Sequence, residues 1–408
     1  MIKVGIIGGG VSGMTAAISA ARAGASVCLF ERTERVGRKL LATGNGRCNL
    51  TNRDLSLLHY HGSCVELAAR VLADFGPEES RSFWNELGIE EKELEQGKVY
   101  PRSLQASSVL DALRYEMQRL GVVSRTESPV TAILPQRHGF VLQTVAEAMT
   151  VDHVILAAGG KASPKFGADG SGVRLAEALG LRIRPLRPAL CRIECSSPAL
   201  RALMGVKLDG RVRLQGETEM ETAEGEVLFT ETGLSGPPIL QLSRRTGEEL
   251  EAGRAVELCL DLCPEETKGQ VFACLSARFQ AMPYKTVQEA MNGWLHKKVT
   301  PALLKAAGIA ASTPAGQLSR REIGARADKL KKWLFPVTRL AGWAEAQVTV
   351  GGVRGEEVRE NLESRRCPGL FLAGEVLDLD GDCGGYNIQW AVSSGFLAGR
   401  AAAERSEA

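Results

Sequence analysis

The chain has 408 residues, 44% hydrophobic and 24% charged, enough to bury sizeable cores in two or three domains. Its 50 basic and 48 acidic side chains leave a formal charge of +2, so charge gives no reason to expect nucleic acid or an acidic membrane as partner. Five histidines argue against a histidine-rich metal protein. No stretch reaches the roughly 18 apolar residues of a bilayer span. Glycines break the apolar N-terminus and no cleavage pattern follows it, so the expectation is a mature cytoplasmic chain without membrane contact.

Lys3–Ile7 reads as a short buried strand, followed at once by Gly8-Gly9-Gly10-Val11-Ser12-Gly13. Met14–Ala23 reads as an alanine-rich helix closed by Gly24, and Val27–Phe30 as a second strand ending at Glu31. Strand, glycine turn, helix, strand and acid together form the βαβ unit of a dinucleotide-binding fold. Gly8 permits the tight turn, Gly10 lets backbone approach a pyrophosphate, and Gly13 lets the helix pack closely on the sheet. The first amides of the helix, those of Val11, Ser12 and Gly13, then face the phosphates together with the positive helix end. Glu31 lies where a carboxylate can accept from ribose hydroxyls.

Arg32–Asn52 holds Gly37-Arg38-Lys39 and Thr43-Gly44-Asn45-Gly46-Arg47-Cys48-Asn49, a loop of glycine turns, amides and cations suited to phosphate and a polar ring edge. Residues 65–121 read as mostly helical and connecting segments, with breaks at Phe75-Gly76-Pro77 and Val99-Tyr100-Pro101. Val130–Ile133 and Phe140–Thr144 read as strands, and Val151–Ala158 as a buried strand running into Gly159-Gly160, a second point where backbone could touch a cofactor. Asp169-Gly170-Ser171-Gly172 opens a helix over Val173–Leu179. Beyond Leu186, short β-like runs (Leu190–Glu194, Val206–Leu214, Glu226–Phe229, Ala255–Leu260) suggest a small sheet or barrel. Thr230–Pro238 reads as a turn and Ile239–Arg244 as a helix start. Residues 264–335 read as helices with basic faces, more in keeping with solvated surfaces than nucleic-acid patches. Ala346–Val350 reads as a strand before Gly351-Gly352, Leu370–Ala373 as another before Gly374-Glu375, and Ile388–Ala403 as the final helix.

Ten scattered cysteines do not form a disulfide framework. Cys191/Cys195 and Cys259/Cys263 lack the tighter spacing and the histidines of a zinc site, so no metal is expected and buried structural thiols are. Cys48 and Cys383 could act as redox thiols only with exposure and a lowered pKa.

Lys39–Asn49, Phe229–Pro237, Gly374–Asp378 and Gly384–Ala391 resemble, in order along the chain, the blocks of the bacterial FAD flavoproteins known as HI-type, aminoacetone-oxidase-like and 3-dehydro-bile-acid-reductase-like. The resemblance runs from residue 4 to about 399. It implies an α/β architecture: a discontinuous Rossmann-like FAD-binding domain with an inserted β-rich domain that itself carries a helical subdomain. The texture changes place these at 1–188 and 343–408 (FAD domain), 189–262 and 336–342 (β-rich) and 263–335 (helical). It also implies non-covalent FAD rather than NAD at the first turn. Glu31 and Arg32 would hold the AMP ribose, Lys39 the phosphate region and Val130 the adenine through its backbone. Glu375, Asn387 and Ile388 would lie by the ribityl chain and ring. Arg38, Gly44, Asn45, Gly46, Gly159, Gly374, Asp382 and Gly385 complete the expected cofactor contacts.

No second Gly-x-Gly-x-x-Gly follows a strand, so NADH or NADPH would serve as a transient donor. The helix start near Asn387 would aim positive potential at the ring carbonyls and favour the anionic reduced ring. Arg47 and Tyr386, with the backbone amides near Gly351-Gly352, are candidates to stabilise an enolate or deliver a proton. The resemblance implies an FAD-dependent oxidoreductase reducing the C=C of a conjugated apolar ketone of steroid or 3-dehydro-bile-acid type, the inserted domain capping a small-molecule substrate. Two alternatives stay open: an oxidase of a small amine such as aminoacetone using oxygen, and a non-catalytic flavin-bound accessory to RNA modification or redox sensing.

Overall fold

A computed structural model describes residues 1–216 and 219–404; positions 217, 218 and 405–408 of the expected segments lie outside the described residues. The chain divides into two compact units, Met1–Pro188 with Gln347–Ala408, and Ala189–Ala346.

The first unit is built on a parallel sheet in the order Leu370–Leu372, His153–Leu156, Lys3–Ile7, Ser26–Phe30, Val123–Arg125. Its central strands are covered on both faces, by helix Val11–Arg22 on one and by the antiparallel strands Phe140–Thr144 and Ala148–Val151 on the other, where a Cβ at Gly5 would meet Leu142 and Val151; all but the first residue of Lys3–Ile7 are buried. Helix Val11–Arg22 is buried continuously from Val11 to Ala20, since its alanine-rich surface is enclosed on nearly every side. The C-terminal helix Tyr386–Ala403 crosses it closely. A Cβ at Gly395 would stand 2.4 Å from the Ser12 carbonyl oxygen and one at Gly399 2.3 Å from that of Ala16. Ser19 Oγ donates to the Phe396 carbonyl at 2.7 Å across the same contact.

The second unit is a closed barrel in the order Ile193–Cys195, Gly233–Ser235, Glu219–Phe229, Lys207–Gln215, Glu257–Asp261, Trp333–Leu340, the last pairing back with the first. Closure leaves no open sheet edge. Along Lys207–Gln215 every second residue from Gly210 onward is buried, and Phe229, Trp333 and Phe335 meet in the core. Helices Leu200–Leu203, Pro237–Glu251, Lys268–Ala281, Val287–Ala290, Val299–Ala306 and Arg320–Lys331 belong to this unit.

Several elements differ from their sequence reading. Val151–Ala158 is divided into Ala148–Val151 and His153–Leu156, which pair in different sheets. Within the region read as mostly helical lies strand Glu91–Glu93, too short and polar to show a period of two, and the break at Val99-Tyr100-Pro101 is strand Lys98–Pro101. Gly233–Ser235 is a barrel strand inside the expected turn. Trp333–Leu340 begins within the stretch expected to be helical, because Trp333 and Phe335 both point inward. Gly351 and Gly352 lie inside strand Val348–Val353 rather than after it, and a Cβ at Gly351 would stand 2.3 Å from the Pro185 carbonyl oxygen. No described helix is long and apolar enough to cross a membrane.

Candidate functional site

The parallel strands end in one crevice. Lys3–Ile7 lies between Ser26–Phe30 and His153–Leu156, so chain direction across the sheet reverses there, the position where open α/β sheets bind ligands. Gly8 leaves the first strand at φ +107°, its N–H donating to the Phe30 carbonyl at 2.8 Å. A Cβ on Gly13 would stand 1.9 Å from the Gly8 carbonyl oxygen, so only glycine lets helix and turn meet. Gly10 is different: a Cβ there meets no atom within 4 Å. It is the N-cap of helix Val11–Arg22, which has no side-chain cap and no acidic residue in its first turn. An opening kept clear by a missing Cβ, facing the positive end of an uncapped helix, suits a phosphate.

Glu31 is placed as expected but is already engaged. Its Oε2 accepts from Gly9 N–H at 2.9 Å, and its Oε1 accepts from the Thr33 N–H at 2.8 Å and hydroxyl at 2.9 Å. A carboxylate has about four acceptor positions, so one is left to receive a ribose hydroxyl. Glu127 N–H donates to the Thr33 carbonyl and Ser128 N–H to that of Glu31, which brings the start of strand Val130–Pro135 to this turn. Arg32 forms an ion pair with Asp169. Burial alone would raise the Asp169 carboxyl, but Arg32 and the Ser171 donors outweigh it and hold the group well below the usual carboxylate range. Arg38 turns to Glu34 at 3.2 Å.

At the far side of the crevice, Lys39 Nζ donates to Glu375 Oε2 at 2.8 Å, and Thr349 N–H donates to Glu375 Oε1 at 2.6 Å. Gly159 stands beside Glu375, its Cβ position 3.9 Å from Oε2. Gly374 is held between its N–H to Ser394 Oγ at 3.0 Å and the Trp390 indole N–H to its carbonyl at 3.1 Å. The glycine turn, Glu31–Lys39, Gly159 and Gly374–Glu375, up to 367 residues apart in sequence, thus gather at the strand ends.

A second group surrounds the N-terminus of the C-terminal helix. Gly44, Asn45, Gly46 and Cys48 all have positive φ, which curls Thr43–Asn49 into a tight loop. Arg47 lies with its guanidinium 4.9 Å from the Tyr100 ring centroid and donates from Nε to the Gly44 carbonyl at 3.2 Å. Asn52 Nδ2 donates to the Gly384 carbonyl at 3.0 Å, tying this loop to Cys383–Asn387. Gly385 caps the helix at φ +103°, again with no side-chain cap and no acid in the first turn. The buried Asn49 Oδ1 has no hydrogen-bond partner among the described residues, and it lies 2.9 Å from the Cβ position of Gly385. Asn387 folds back on its own loop, its Oδ1 accepting from Gly381 N–H at 2.9 Å and its Nδ2 donating to the Gly381 carbonyl at 2.8 Å.

Tyr386 is buried, stacked on His59 at 4.5 Å and edge-on to Tyr60 at 5.7 Å. Burial, with Asp54 and Asp382 adding, pushes its phenol up to about 12, so it stays a neutral donor across the physiological range. Asp382 accepts from both His59 and His61. Sequence reading missed these histidines, although His59-Tyr60-His61 packs two of the chain's five into three positions. Cys48 is fully buried and burial pushes its thiol up to about 12; burial raises Cys383 as well. Both shifts run against an activated thiolate at these two positions. Among the described residues no group of three or more His, Cys, Asp or Glu is arranged to hold a metal.

These residues fit FAD: a Cβ-free opening at an uncapped helix for the diphosphate, a carboxylate at the second strand end for ribose, and a second uncapped helix beside an orphaned amide oxygen for the ring. The HI0933-like protein Rossmann domain model matches residues 2–401. The 3-dehydro-bile acid delta(4,6)-reductase of Clostridium scindens is 41% identical over 99% of this chain and 100% of its own length. The ribosomal RNA dihydrouridine synthase of Escherichia coli is 30% identical over 95% of each chain. Among solved structures, 3-ketosteroid delta1-dehydrogenase from Sterolibacterium denitrificans aligns with a TM-score of 0.51 at 12% identity, covering 99% of this chain and 100% of that one, a likeness of fold.

Proposed function

The chain, an FAD-dependent oxidoreductase, belongs to the HI0933-like Rossmann family, and on that footing we propose that it reduces a C=C bond conjugated to a ketone in a largely apolar substrate of 3-dehydro-bile-acid type. The observation that carries this reading is the 41% identity to the bile acid reductase, which extends over 99% of the chain. Bound FAD would supply the two electrons, taken from a transient NADH or NADPH donor.

Reducing such a bond also needs a proton at the carbon next to the carbonyl and a donor to the carbonyl oxygen as charge develops there. Tyr386, neutral and buried at the first position of the C-terminal helix, can hold that proton. Arg47, exposed on the Tyr100 ring, can offer the cationic donor. Glu31 and Arg32 would hold the AMP ribose, the Gly8–Gly13 turn and Lys39 the diphosphate, and Val130 the adenine. Gly374, Glu375, Asn387 and Ile388 would face the ribityl chain and ring.

The 30% identity to the ribosomal RNA dihydrouridine synthase favours a second reading on related chemistry, because the uracil C5–C6 double bond is also conjugated to a carbonyl. One experiment separates them. The enzyme is reduced anaerobically with NADH or NADPH and then offered a conjugated dienone steroid or unmodified ribosomal RNA. The reading expects the flavin to reoxidise with the dienone and yield a product richer by two hydrogens. Reoxidation by RNA and by no enone would overturn it in favour of the second; reoxidation by neither would overturn both.

A further inference from the structure

Strands Tyr60–His61 and Asp380–Gly381 pair antiparallel and lead into a side-chain cluster that the chemistry above leaves unused. Asp382 accepts from His59 Nδ1 at 2.9 Å through Oδ2 and from His61 Nε2 at 2.8 Å through Oδ1. The other nitrogen of His59 reaches Asp54 Oδ2 at 3.2 Å, and the face of its ring stacks on Tyr386. The backbone of Asp382 is fixed on both sides: its N–H donates to the His59 carbonyl at 2.9 Å, and its carbonyl accepts from Asn387 Nδ2 at 3.3 Å. Three residues on, Gly385 opens the C-terminal helix without a side-chain cap.

A purely mechanical tie between two strands needs one amide or hydroxyl. Here two imidazoles share a carboxylate whose side chain is only 14% exposed, with a second carboxylate behind. The titratable groups facing the pair are Asp54 from the preceding loop, Tyr60 from its own strand, and Asp382, Cys383 and Tyr386 from the opposing strand end and helix start. Tyr60, Tyr386 and Cys383 all have raised values and stay neutral near pH 7. With Lys98 the cation facing Cys383, charge among the hydrogen-bonded side chains is set by two carboxylates and two imidazoles. It is neutral with both rings protonated and doubly negative with both deprotonated. Burial works against a charge on His59, but Asp382 and Asp54 outweigh it and raise the imidazole above its ordinary value.

We propose that His59 and His61, acting through Asp382, are proton-linked positioning residues for the bound cofactor: the cluster takes up a proton from solvent when the FAD ring is reduced. The inference rests on the reading that the start of the C-terminal helix faces that ring. Two electrons and one proton enter the ring from the nicotinamide or chemical reductant and solvent. The second proton goes to an imidazole and offsets the charge placed at the helix start, holding Asp382, and with it the turn to Gly385, in one position in both redox states. The largely buried Asp382 carboxylate, within hydrogen-bond reach of both rings, makes that compensation favourable.

The test measures the reduction potential of the bound flavin against pH by dye equilibration, on wild type, Asp382→Asn, and the single variants His59→Gln and His61→Gln. In the pH range above that in which the raised His59 imidazole is already protonated in the oxidised protein, wild type should take up two protons per two electrons. Asp382→Asn and His59→Gln should take up one, halving the slope of potential with pH. If Asp382→Asn fails to fold or loses flavin, the glutamine variants, which keep an N–H toward Asp382, decide the matter. Equal slopes in wild type and variants would overturn the proposal, as would uptake of a single proton by wild type. A wild-type protein that binds no FAD would instead overturn the cofactor reading beneath it, and flavin absorbance in the same cuvette tells the two failures apart.

Discussion

Replacing Gly10 and Gly13 one at a time separates phosphate contact from packing. At Gly10 φ is −75° and ψ −176°, a conformation open to any residue, and the added Cβ touches nothing within 4 Å. Alanine at an N-cap loses up to about 1 kcal/mol against glycine, while stiffening the unfolded chain returns about 0.4–1 kcal/mol. Gly10→Ala should therefore leave the urea stability of flavin-free protein within about 0.5 kcal/mol of wild type. The same methyl stands where phosphate oxygens would approach the first-turn amides. Loss of two charge-assisted hydrogen bonds at about 1.5 kcal/mol or more each weakens FAD binding by at least about 100-fold. Gly13→Ala puts its Cβ 1.9 Å from a backbone oxygen, so helix and turn must part, at a cost of about 3 kcal/mol or more, and binding falls with stability. Fluorescence quenching of FAD titrated into flavin-free protein, run beside urea unfolding, reads both quantities. FAD bound by Gly10→Ala as tightly as by wild type would refute the placement of the diphosphate, whatever Gly13→Ala does.

Three further outcomes follow from the geometry. Glu116 accepts from Arg119 at 2.7 Å and from Arg22 at 2.8 Å, chiefly the Arg119 hydrogen bond holding it down to about 2. A carboxyl depressed on folding stabilises above its unfolded value and loses that stability as pH falls through the folded one. Glu116→Gln should cost about 1–2 kcal/mol at neutral pH, after discounting for the exposed Arg119, and the gap should close between pH 4.5 and about 2 in acid-titrated urea unfolding. In native protein a thiol reagent should modify exposed Cys274 quickly and leave fully buried Cys48 untouched; rapid loss of Cys48 with loss of activity would revive a thiol mechanism. Arg47→Ala should keep FAD affinity while kcat with an enone falls about 100-fold, the cost of removing one oxyanion donor; unchanged kcat would leave Arg47 only its place on Tyr100.

What could be read from the sequence was what lies close along it. The first crossover is continuous from Lys3 to Glu31, so its strands, helix and glycines show as local patterns. The resemblance of Lys39–Asn49 and Gly384–Ala391 marked two loops but not that Asn52 and Gly384 join them across 332 positions. Nothing local announces that His59 and Asp382, 323 residues apart, share a hydrogen bond, because strand pair Tyr60–His61 with Asp380–Gly381 is only two residues long on each side. Glu31 shows a different limit: its position was legible, but its engagement with Gly9 and Thr33 depends on how the turn closes. The barrel strands were partly visible as alternating runs, whereas Gly233–Ser235 was hidden because three residues carry no period.

Helix caps show why two helix starts stand apart from the rest. Lys268–Ala281, Val287–Ala290 and Arg320–Lys331 open with reciprocal boxes, Thr267 with Gln270, Thr286 with Glu289 and Ser319 with Glu322, so their first amides are satisfied internally. Pro237–Glu251 begins with two prolines, which have no N–H to satisfy. Val11–Arg22 and Tyr386–Ala403 have neither remedy. A bare start is not in itself a binding site: Ala106–Arg119 also begins without a side-chain cap, at Gln105. The difference lies in what adjoins the end. Gly10 keeps an opening clear at the reversal of a parallel sheet, and Gly385 abuts an amide oxygen that the chain itself does not satisfy. A solvated surface helix can leave its donors to water, but these two helix starts at strand ends gain most from a ligand bearing its own acceptors: an FAD diphosphate at one end and a ring carbonyl at the other would meet the helix amides, and a ring N–H would be the donor that Asn49 Oδ1 lacks.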